Sequence, residues 1–243
     1  MFQDIKYIET YQTLESTKDL SEKYILEKKY NDHFLIIAES QSQGKGRKGN
    51  DWLSPVGGLW FNLVLKFVSE QKSFTLFAGY CVLKSLIELF EIYFKSSIIS
   101  DFKIKWPNDI YLFEKKICGL ICSQYFQFGM TNIGIGINTN IRNMPELKYD
   151  SILNLLNKEI DNKIYLTKII NKIFENLPIY EAKGLSLFND YYKEHDFLKN
   201  KQIKIISGIH AYDGLYQGID TDGALLLKEK DETIRTIYSG SVF

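Results

Sequence analysis

A short glycine-rich, basic stretch restricts the folds open to this chain more than any other segment. It reads QGKGRKGNDW at residues 43–52 and follows FLIIA at residues 34–38, which has the composition of a buried strand. Gly44, Gly46 and Gly49 have the spacing of a dinucleotide-binding loop, but that loop needs a helix directly after its last glycine. Residues 50–58 (NDWLSPVGG) disfavour a helix, which excludes a Rossmann fold. Asn50 and Asp51 stand where a Walker phosphate loop needs Lys and Ser or Thr, so that motif is excluded as well.

The chemistry of this stretch still indicates anion binding. Lys45, Arg47 and Lys48 occur with no acidic residue between Gln41 and Asn50, and glycines allow backbone amides to approach an anion closely. Such a loop is expected to be mobile until a ligand neutralises its cations. A solvated basic hairpin loop is the alternative that the stretch alone leaves open.

Composition limits the partners of the protein. The 243 residues are 45% hydrophobic, and 30 basic residues balance 30 acidic ones, so no basic face for nucleic acid or anionic membrane is indicated. Three cysteines without CxxC spacing indicate neither a disulfide framework nor a metal site, and they favour a cytoplasmic location. No signal peptide or membrane-length apolar run is present, which predicts a soluble protein.

Apolar periodicity predicts a mixed order of strands and helices. Ser16 or Thr17 is the expected N-cap of a first helix, residues 59–67 form a strand, and residues 74–94 form a helix. Residues 102–106 form a strand that Pro107 ends, and residues 110–112 and 117–123 form a hairpin around the polar turn 114–116. In residues 133–138 isoleucines occupy one strand face, while the other is left bare by Gly134 and Gly136 and ends at Asn138. That face suits either a flat ligand or a closely packed helix.

The last third changes character near residue 200. Helical periodicity covers residues 155–194, with interruptions expected at Pro178 and Gly184. Four short strands are predicted after it, at residues 202–206, 214–219, 224–227 and 233–238. The prediction is therefore an α+β domain over residues 1–197, with a mixed sheet and flanking helices, and a small β-barrel over residues 198–243.

Five motifs in fixed order resemble the biotin protein ligase family, whose members join biotin to the biotin carboxyl carrier domain of acetyl-CoA carboxylase. They are Ser16-Thr17, the loop from Gln41 through GKGRKGNDW, KWPNDIYLFEKKICG at 105–119, GIGINTN at 134–140, and GIDTDGALLL at 218–227 followed by SGSVF. The resemblance covers essentially the whole chain. It implies a catalytic domain related to class II aminoacyl-tRNA synthetases, an SH3-like C-terminal domain, and a monofunctional ligase that lacks the N-terminal DNA-binding domain of regulatory members.

The resemblance also implies a two-step reaction and a set of site residues. Biotin and ATP form biotinyl-5′-AMP, and a lysine of the carrier then displaces AMP; Mg²⁺ is expected with ATP, and no dedicated metal ligands are predicted. The implied catalytic residues are Lys116, which contacts both the biotin carboxylate and the α-phosphate, Arg47, which holds the adenylate, and Asp109, which orients or deprotonates the acceptor amine. The biotin-binding residues are Ser16, Thr17, Lys18, Gln41, Gly44, Lys45, Gly46, Arg47, Lys116 and Gly119, and the ATP-binding residues are Arg47, Trp52, Asn108, Lys116 and Asn138.

Four residues depart from the family pattern. Lys45 and Asn50 replace loop arginines, Lys18 stands where asparagine is usual, and Asn62 stands where serine is usual. The alternatives are a lipoate or octanoyl ligase of related fold and a non-enzymatic RNA-binding module. The resemblance excludes sequence-specific DNA as a partner and allows a homodimer.

Overall fold

The computed structural model of the protein describes residues 4–94, 98–144 and 148–243. A seven-stranded mixed sheet forms the centre of its larger part. Its strands are β1 (Tyr7–Leu14), β2 (Phe34–Gln41), β3 (Leu59–Leu65), β4 (Phe102–Lys105), β5 (Asp109–Leu112), β6 (Lys115–Tyr125) and β7 (Met130–Ile137). The spatial order is β1-β2-β3-β7-β6-β5-β4, in which only β1 and β2 pair in parallel.

Five helices accompany this sheet in the described part of the chain. They are α1 (Thr17–Leu26), α2 (Phe74–Phe94), α3 (Ile152–Leu156), α4 (Asn162–Lys183) and α5 (Asn189–Glu194). Strand alternation divides the side chains of the sheet between its two faces. One face, with Phe61 and Ile135, packs against α2 and α4 in the main apolar core. The other face, with Ile36 and Val64, packs against α1 in a smaller core.

The C-terminal residues form a second sheet, which is antiparallel. Its strands are β8 (Gln202–Ser207), β9 (His210–Ile219), β10 (Leu225–Lys228), β11 (Ile234–Ile237) and β12 (Ser241–Val242), in the order β11-β10-β9-β8-β12. Its apolar face joins the main core, because Ile205 and Leu225 belong to the same buried cluster as α2. The indole of Trp106 also donates to the Gly223 carbonyl at 2.9 Å. The predicted α+β class with a small C-terminal β domain is confirmed.

Three predictions of local structure were wrong. The predicted helical region is broken at residues 157–161, between α3 and α4. Helix α4 also continues through Pro178, where an interruption was predicted, because the buried Tyr180 stacks on Phe77 with ring centroids 4.5 Å apart. Lys116 lies inside β6 rather than in the hairpin turn. Strand β1 was not predicted, because it lies at the sheet edge and its partly exposed sequence YIETYQTL lacks a continuous apolar run.

A cluster of tyrosines around Glu9 links β1 to α1 and predicts an acid-dependent loss of stability. Burial opposes ionisation of Glu9, but Lys29, Tyr11, Tyr30 and Tyr24 all donate to its carboxylate, and together they lower its pKa to about 2. A lowered folded-state pKa gives stability that is complete above the unfolded pKa of about 4.3 and is lost as the pH falls through the folded value.

The stability difference between the wild type and Glu9→Gln should therefore shrink as the pH is lowered from about 5 to about 2. Urea unfolding across this range measures it. A difference that does not change with pH would show that the ionised carboxylate contributes nothing.

Candidate active site

A cleft of about 200 Å³ opens between the α1 face of the sheet, the glycine-rich loop and the C-terminal strand β12. Of the described residues that line it, five are basic and two are acidic, which leaves an excess of three positive charges in a protein with no net charge. The basic residues are Lys18, Lys45, Arg47, Lys105 and Lys116, and the acidic residues are Asp51 and Asp109. This excess favours an anionic ligand.

The loop forms a hydrogen-bonded strap over the cleft. It closes with hydrogen bonds from Gly46 N to Asn50 O and from Trp52 N to Gly44 O, and a 3-10 turn covers Arg47–Gly49. Lys48 and Gly49 adopt positive φ angles of 56° and 78°, which fit glycine at the second position. A Cβ atom at Gly44 would lie 2.3 Å from the Trp52 carbonyl oxygen, so this turn requires glycine. The predicted mobility of the loop without ligand stays a prediction.

Arg47 connects the strap to the larger domain and to the C-terminal β domain. Its guanidinium donates to Asn108 Oδ1 at 2.9 Å and to the Gly240 carbonyl at 3.3 Å. Burial lowers the pKa of Arg47, and the charge of Asp109 opposes that shift. Because a guanidinium is not deprotonated in proteins, the group stays charged at neutral pH.

Lys116 lies on the floor of the cleft beside Asp109. Its ammonium is 2.8 Å from Asp109 Oδ1, and 5.0 Å from the Trp52 ring centroid. A bulge between Ile110 and Tyr111 shifts the β5–β6 register and places Lys116 opposite Tyr111. Half-buried Lys105 adds a third cation: it donates to the Val242 carbonyl at 2.9 Å, and burial lowers its pKa while Asp109 opposes that change. The negative charge of Asp109 therefore acts on all three cations, Arg47, Lys105 and Lys116.

Trp52 occupies the bare glycine face of β7. A Cβ atom at Gly136 would lie 2.5 Å from Trp52 Nε1, and one at Gly119 would lie 3.0 Å from the indole ring. The indole N–H is buried without an acceptor among the described residues, and Tyr149 contacts the ring edge at a centroid distance of 6.2 Å. The flat group on the glycine face is thus a side chain of the protein, and a flat ligand entering here has to displace the indole or stack on it.

A polar pocket lies at the inner end of the cleft, where α1 begins. Ser16 caps α1 by accepting from Asp19 N at 3.2 Å, which confirms one of the two predicted caps. Thr17 N donates to Gln41 Oε1 at 2.7 Å, and Gln41 Nε2 donates to Ser54 Oγ at 2.8 Å. The pocket therefore presents amide and hydroxyl groups rather than charges.

Most of the predicted site residues line this one cleft. They are Thr17, Lys18, Gln41, Lys45, Gly46, Arg47, Trp52, Asn108, Asp109, Lys116 and Gly119. Ser16, Gly44 and Asn138 do not line it. Asn138 instead donates to the Asp150 carbonyl at 3.1 Å below the cleft, so a direct contact with a nucleotide stays a prediction.

Sequence reasoning missed several lining residues. Lys105, Tyr149 and residues 240–242 complete the cleft, and the first and last of these lie within motifs that the sequence had already singled out. Their positions could not be assigned because the C-terminal strand is brought in from the far end of the chain. In the described part of the chain, no group of three or more His, Cys, Asp or Glu side chains is arranged to hold a metal ion.

Comparison with known proteins agrees with this geometry. The sequence profile of the Biotin/lipoate A/B protein ligase family matches residues 10–140, and that of the Biotin protein ligase C terminal domain matches residues 200–243. The bifunctional ligase/repressor BirA of Salmonella typhimurium is 29% identical, with 92% of this chain and 71% of that protein covered. The human biotin–protein ligase is 30% identical, with 84% of this chain and 29% of that protein covered.

Solved structures are similar over the whole length. Biotin protein ligase from Aquifex aeolicus in complex with biotin and ATP superimposes with a TM-score of 0.80 at 27% identity, covering 100% of this chain and 98% of the other. The Leishmania major enzyme in complex with biotinyl-5-AMP has a TM-score of 0.67 at 18% identity, covering 98% and 99%, which supports the fold alone.

Proposed function

The chain belongs to the Biotin/lipoate A/B protein ligase family, and we propose that its cleft joins biotin to AMP and then passes the biotinyl group to a lysine of a carrier protein. One observation carries the proposal: a cationic floor and a neutral polar pocket meet in one cleft beneath a single loop. The polar pocket suits the ureido ring of biotin, which both donates and accepts hydrogen bonds. The cations suit the carboxylate and the phosphates. An RNA-binding module has no need of such a pocket.

In the first step the biotin carboxylate attacks the α-phosphorus of ATP, and pyrophosphate leaves. Lys116 neutralises the carboxylate and the α-phosphate together, so that two anions can approach each other. Arg47 binds the phosphate side from the strap, and Lys105 adds charge on the same side. Mg²⁺ accompanies the triphosphate as its counter-ion. Trp52 stacks against the adenine.

In the second step the acceptor amine attacks the acyl carbon, AMP leaves with the bonding electrons, and the amine gives up a proton. The Asp109 carboxylate forms an ion pair with the ammonium of Lys116. It is therefore placed to orient that cation and to accept the proton that the attacking amine gives up. The carboxylate thus takes part in both steps. This extends the role that the sequence suggested for it.

Asp109→Asn should slow transfer from preformed biotinyl-5′-AMP to carrier by about 10² in a single turnover, because the amide cannot accept the proton. It should slow adenylation by about 10-fold, because Lys116 loses its partner. Quenched-flow measurement of both steps separates the two effects. Asp51→Asn, at an exposed carboxylate that also lines the cleft, is the control and should leave both rates unchanged. A normal transfer rate for Asp109→Asn would remove the role of Asp109 in that step.

The proposed protein partner is a biotin carboxyl carrier domain, and purified carrier with biotin and ATP tests the function. Mass spectrometry should show a gain of one biotinyl group on one lysine. Carrier that stays unmodified while a lipoyl or octanoyl acceptor is modified would favour the alternative ligase.

We also propose that the catalytic domain ends at residue 197 and the SH3-like domain begins at residue 198. The hydrogen bonds of Arg47 and Lys105 to the carbonyls of Gly240 and Val242 suggest that the second domain helps to hold the cations of the site. A cytoplasmic location is proposed on the free cysteines among the described residues. None of the helices in the described part of the chain combines the length and apolar character of a membrane span. A homodimer and the absence of sequence-specific DNA binding stay predictions from the sequence.

A further inference from the structure

Two buried asparagines form a hydrogen-bonded pair behind the polar pocket, on the face of the sheet that α1 covers. Asn62 of β3 and Asn132 of β7 are each 2% exposed, and Asn62 Nδ2 donates to Asn132 Oδ1 at 2.7 Å. Buried amides are expensive to hold in a core unless their hydrogen bonds are satisfied. This pair lies where an apolar contact between helix and sheet would otherwise be expected.

The first turns of α1 fix the orientation of the pair. Ser21 Oγ donates to the Lys18 carbonyl at 2.8 Å, and a carbonyl can only accept, so the hydroxyl has to accept from its other neighbour. That neighbour is Asn132 Nδ2 at 2.7 Å, which leaves Asn132 Oδ1 to accept from Asn62. The Asn62 oxygen therefore faces Thr17 Oγ1, 2.8 Å away.

Hydrogen-bonding capacity is left over at this end of the cleft. Thr17 Oγ1 has one proton but lies within 2.9 Å of two amide oxygens, those of Gln41 and Asn62. The Gln41 oxygen also accepts from Thr17 N at 2.7 Å, so both oxygens have a donor when the hydroxyl donates to Asn62, and each then keeps one lone pair that no contact among the described residues uses. Asn62 Nδ2 and Gln41 Nε2 each have a second N–H that no contact among the described residues uses, and both side chains line the cleft. The inner end can both accept and donate.

We propose that Asn62, positioned by Asn132, is a specificity-determining residue for the ring of the acid. It makes the inner end complementary to a cyclic urea or amide, and it excludes acids of similar length with an apolar tail, such as octanoate or lipoate. The proposal rests on the proposed function and deepens it, because the family as a whole handles both kinds of acid. A site built to hydrogen-bond a ligand strongly rejects an analogue that lacks the polar group.

The test is the double variant Asn62→Leu/Asn132→Leu, which replaces both amides by apolar groups of similar size. Neither hydroxyl that contacts the pair loses its acceptor, because Ser21 still donates to the Lys18 carbonyl and the Thr17 hydroxyl can donate to Gln41 Oε1. In pyrophosphate exchange the KM for biotin should rise about 30-fold, and the kcat/KM for octanoate relative to that for biotin should increase. The maximal rate and the KM for ATP should stay within about 3-fold of the wild type. Asn132→Leu alone should raise the biotin KM by about 5-fold, since it only frees the Asn62 amide.

Asn176→Leu is the matched control, because that half-buried amide donates to the Lys172 carbonyl within α4, away from the cleft. It should leave all of these constants unchanged. An unchanged biotin KM in a folded double variant would overturn the proposal, and so would a parallel rise in the KM for biotin and ATP, which indicates a structural role. A wild type that activates octanoate or lipoate but not biotin would overturn the proposed function as well, and that result appears before any variant is made.

Discussion

Replacing Lys116 by methionine should lower the rate of biotin adenylation by about 10³, which is the upper range for removing one preorganised electrostatic group from a transition state. The two reacting anions then approach each other without the cation that lies between them. The effect should appear in kcat more than in the KM for biotin, because the polar pocket that holds the ring is untouched. Lys116→Arg keeps the charge but changes its geometry, and about 10-fold of the loss should be recovered. Quenched-flow detection of biotinyl-5′-AMP measures these rates.

Two further variants distinguish a loss of catalysis from a loss of folding. Lys116→Met leaves the Asp109 carboxylate without its ion-pair partner, so Lys116→Met/Asp109→Asn, which removes both charges, should be at least as stable and equally inactive in the first step. Lys115→Met changes the neighbouring side chain, which strand alternation places on the other face of β6, and should leave the rate within about 2-fold of the wild type. Adenylation by a folded Lys116→Met protein at the wild-type rate would remove Lys116 from the chemistry.

Arg47→Met should release the adenylate from the enzyme about 10² times faster than the wild type does. The substitution removes the charged fork that grips phosphate oxygens, together with the hydrogen bonds that tie the strap to Asn108 and to the Gly240 carbonyl. Biotinyl-5′-AMP should then accumulate free in solution, where the wild type retains it. Rapid gel filtration after one turnover, followed by mass spectrometry of the bound and free fractions, measures the dissociation rate.

Lys48→Met is the control for Arg47. Lys48 is the next residue of the same strap, is exposed and contacts Ser241 Oγ at 3.2 Å, so it tests whether any loss of loop charge has the same effect. We expect less than a 3-fold change, since an exposed charge is screened by solvent. Equal release by the two variants would show that the specific contacts of Arg47 contribute nothing.

Local patterns predicted the buried elements because their composition leaves few alternatives. Strands β2 and β3 and helix α2 are continuous apolar segments bounded by turn residues, and the structure has each close to its predicted bounds. Strand β1 was missed because it pairs on one side only and because Glu9, Thr10, Gln12 and Thr13 interrupt its apolar residues without a regular alternation. Pro178 was expected to break a helix, but the packing of Tyr180 outweighs the hydrogen bond that proline removes.

The charged residues of the site could be predicted from the sequence, but most of the contacts that they make could not. The resemblance to biotin protein ligases implied that Arg47, Lys116 and a bare glycine face belong to one chemistry, and the cleft brings these features together. It could not show that Trp52 fills the glycine face, nor that the end of the chain supplies two carbonyls to the cations, because both contacts join segments far apart in sequence. The pairing of Asn62 with Asn132 across neighbouring strands likewise depends on register.

Single-turnover mass spectrometry of the purified protein with ATP, Mg²⁺ and an equimolar mixture of biotin, lipoate and octanoate tests the central claim most directly. The cleft as described should yield biotinyl-5′-AMP bound at one equivalent per chain, with pyrophosphate released in the same amount and the other two adenylates below a hundredth of it. Formation of lipoyl- or octanoyl-AMP in preference to biotinyl-AMP, or of no acyl adenylate at all, would contradict it.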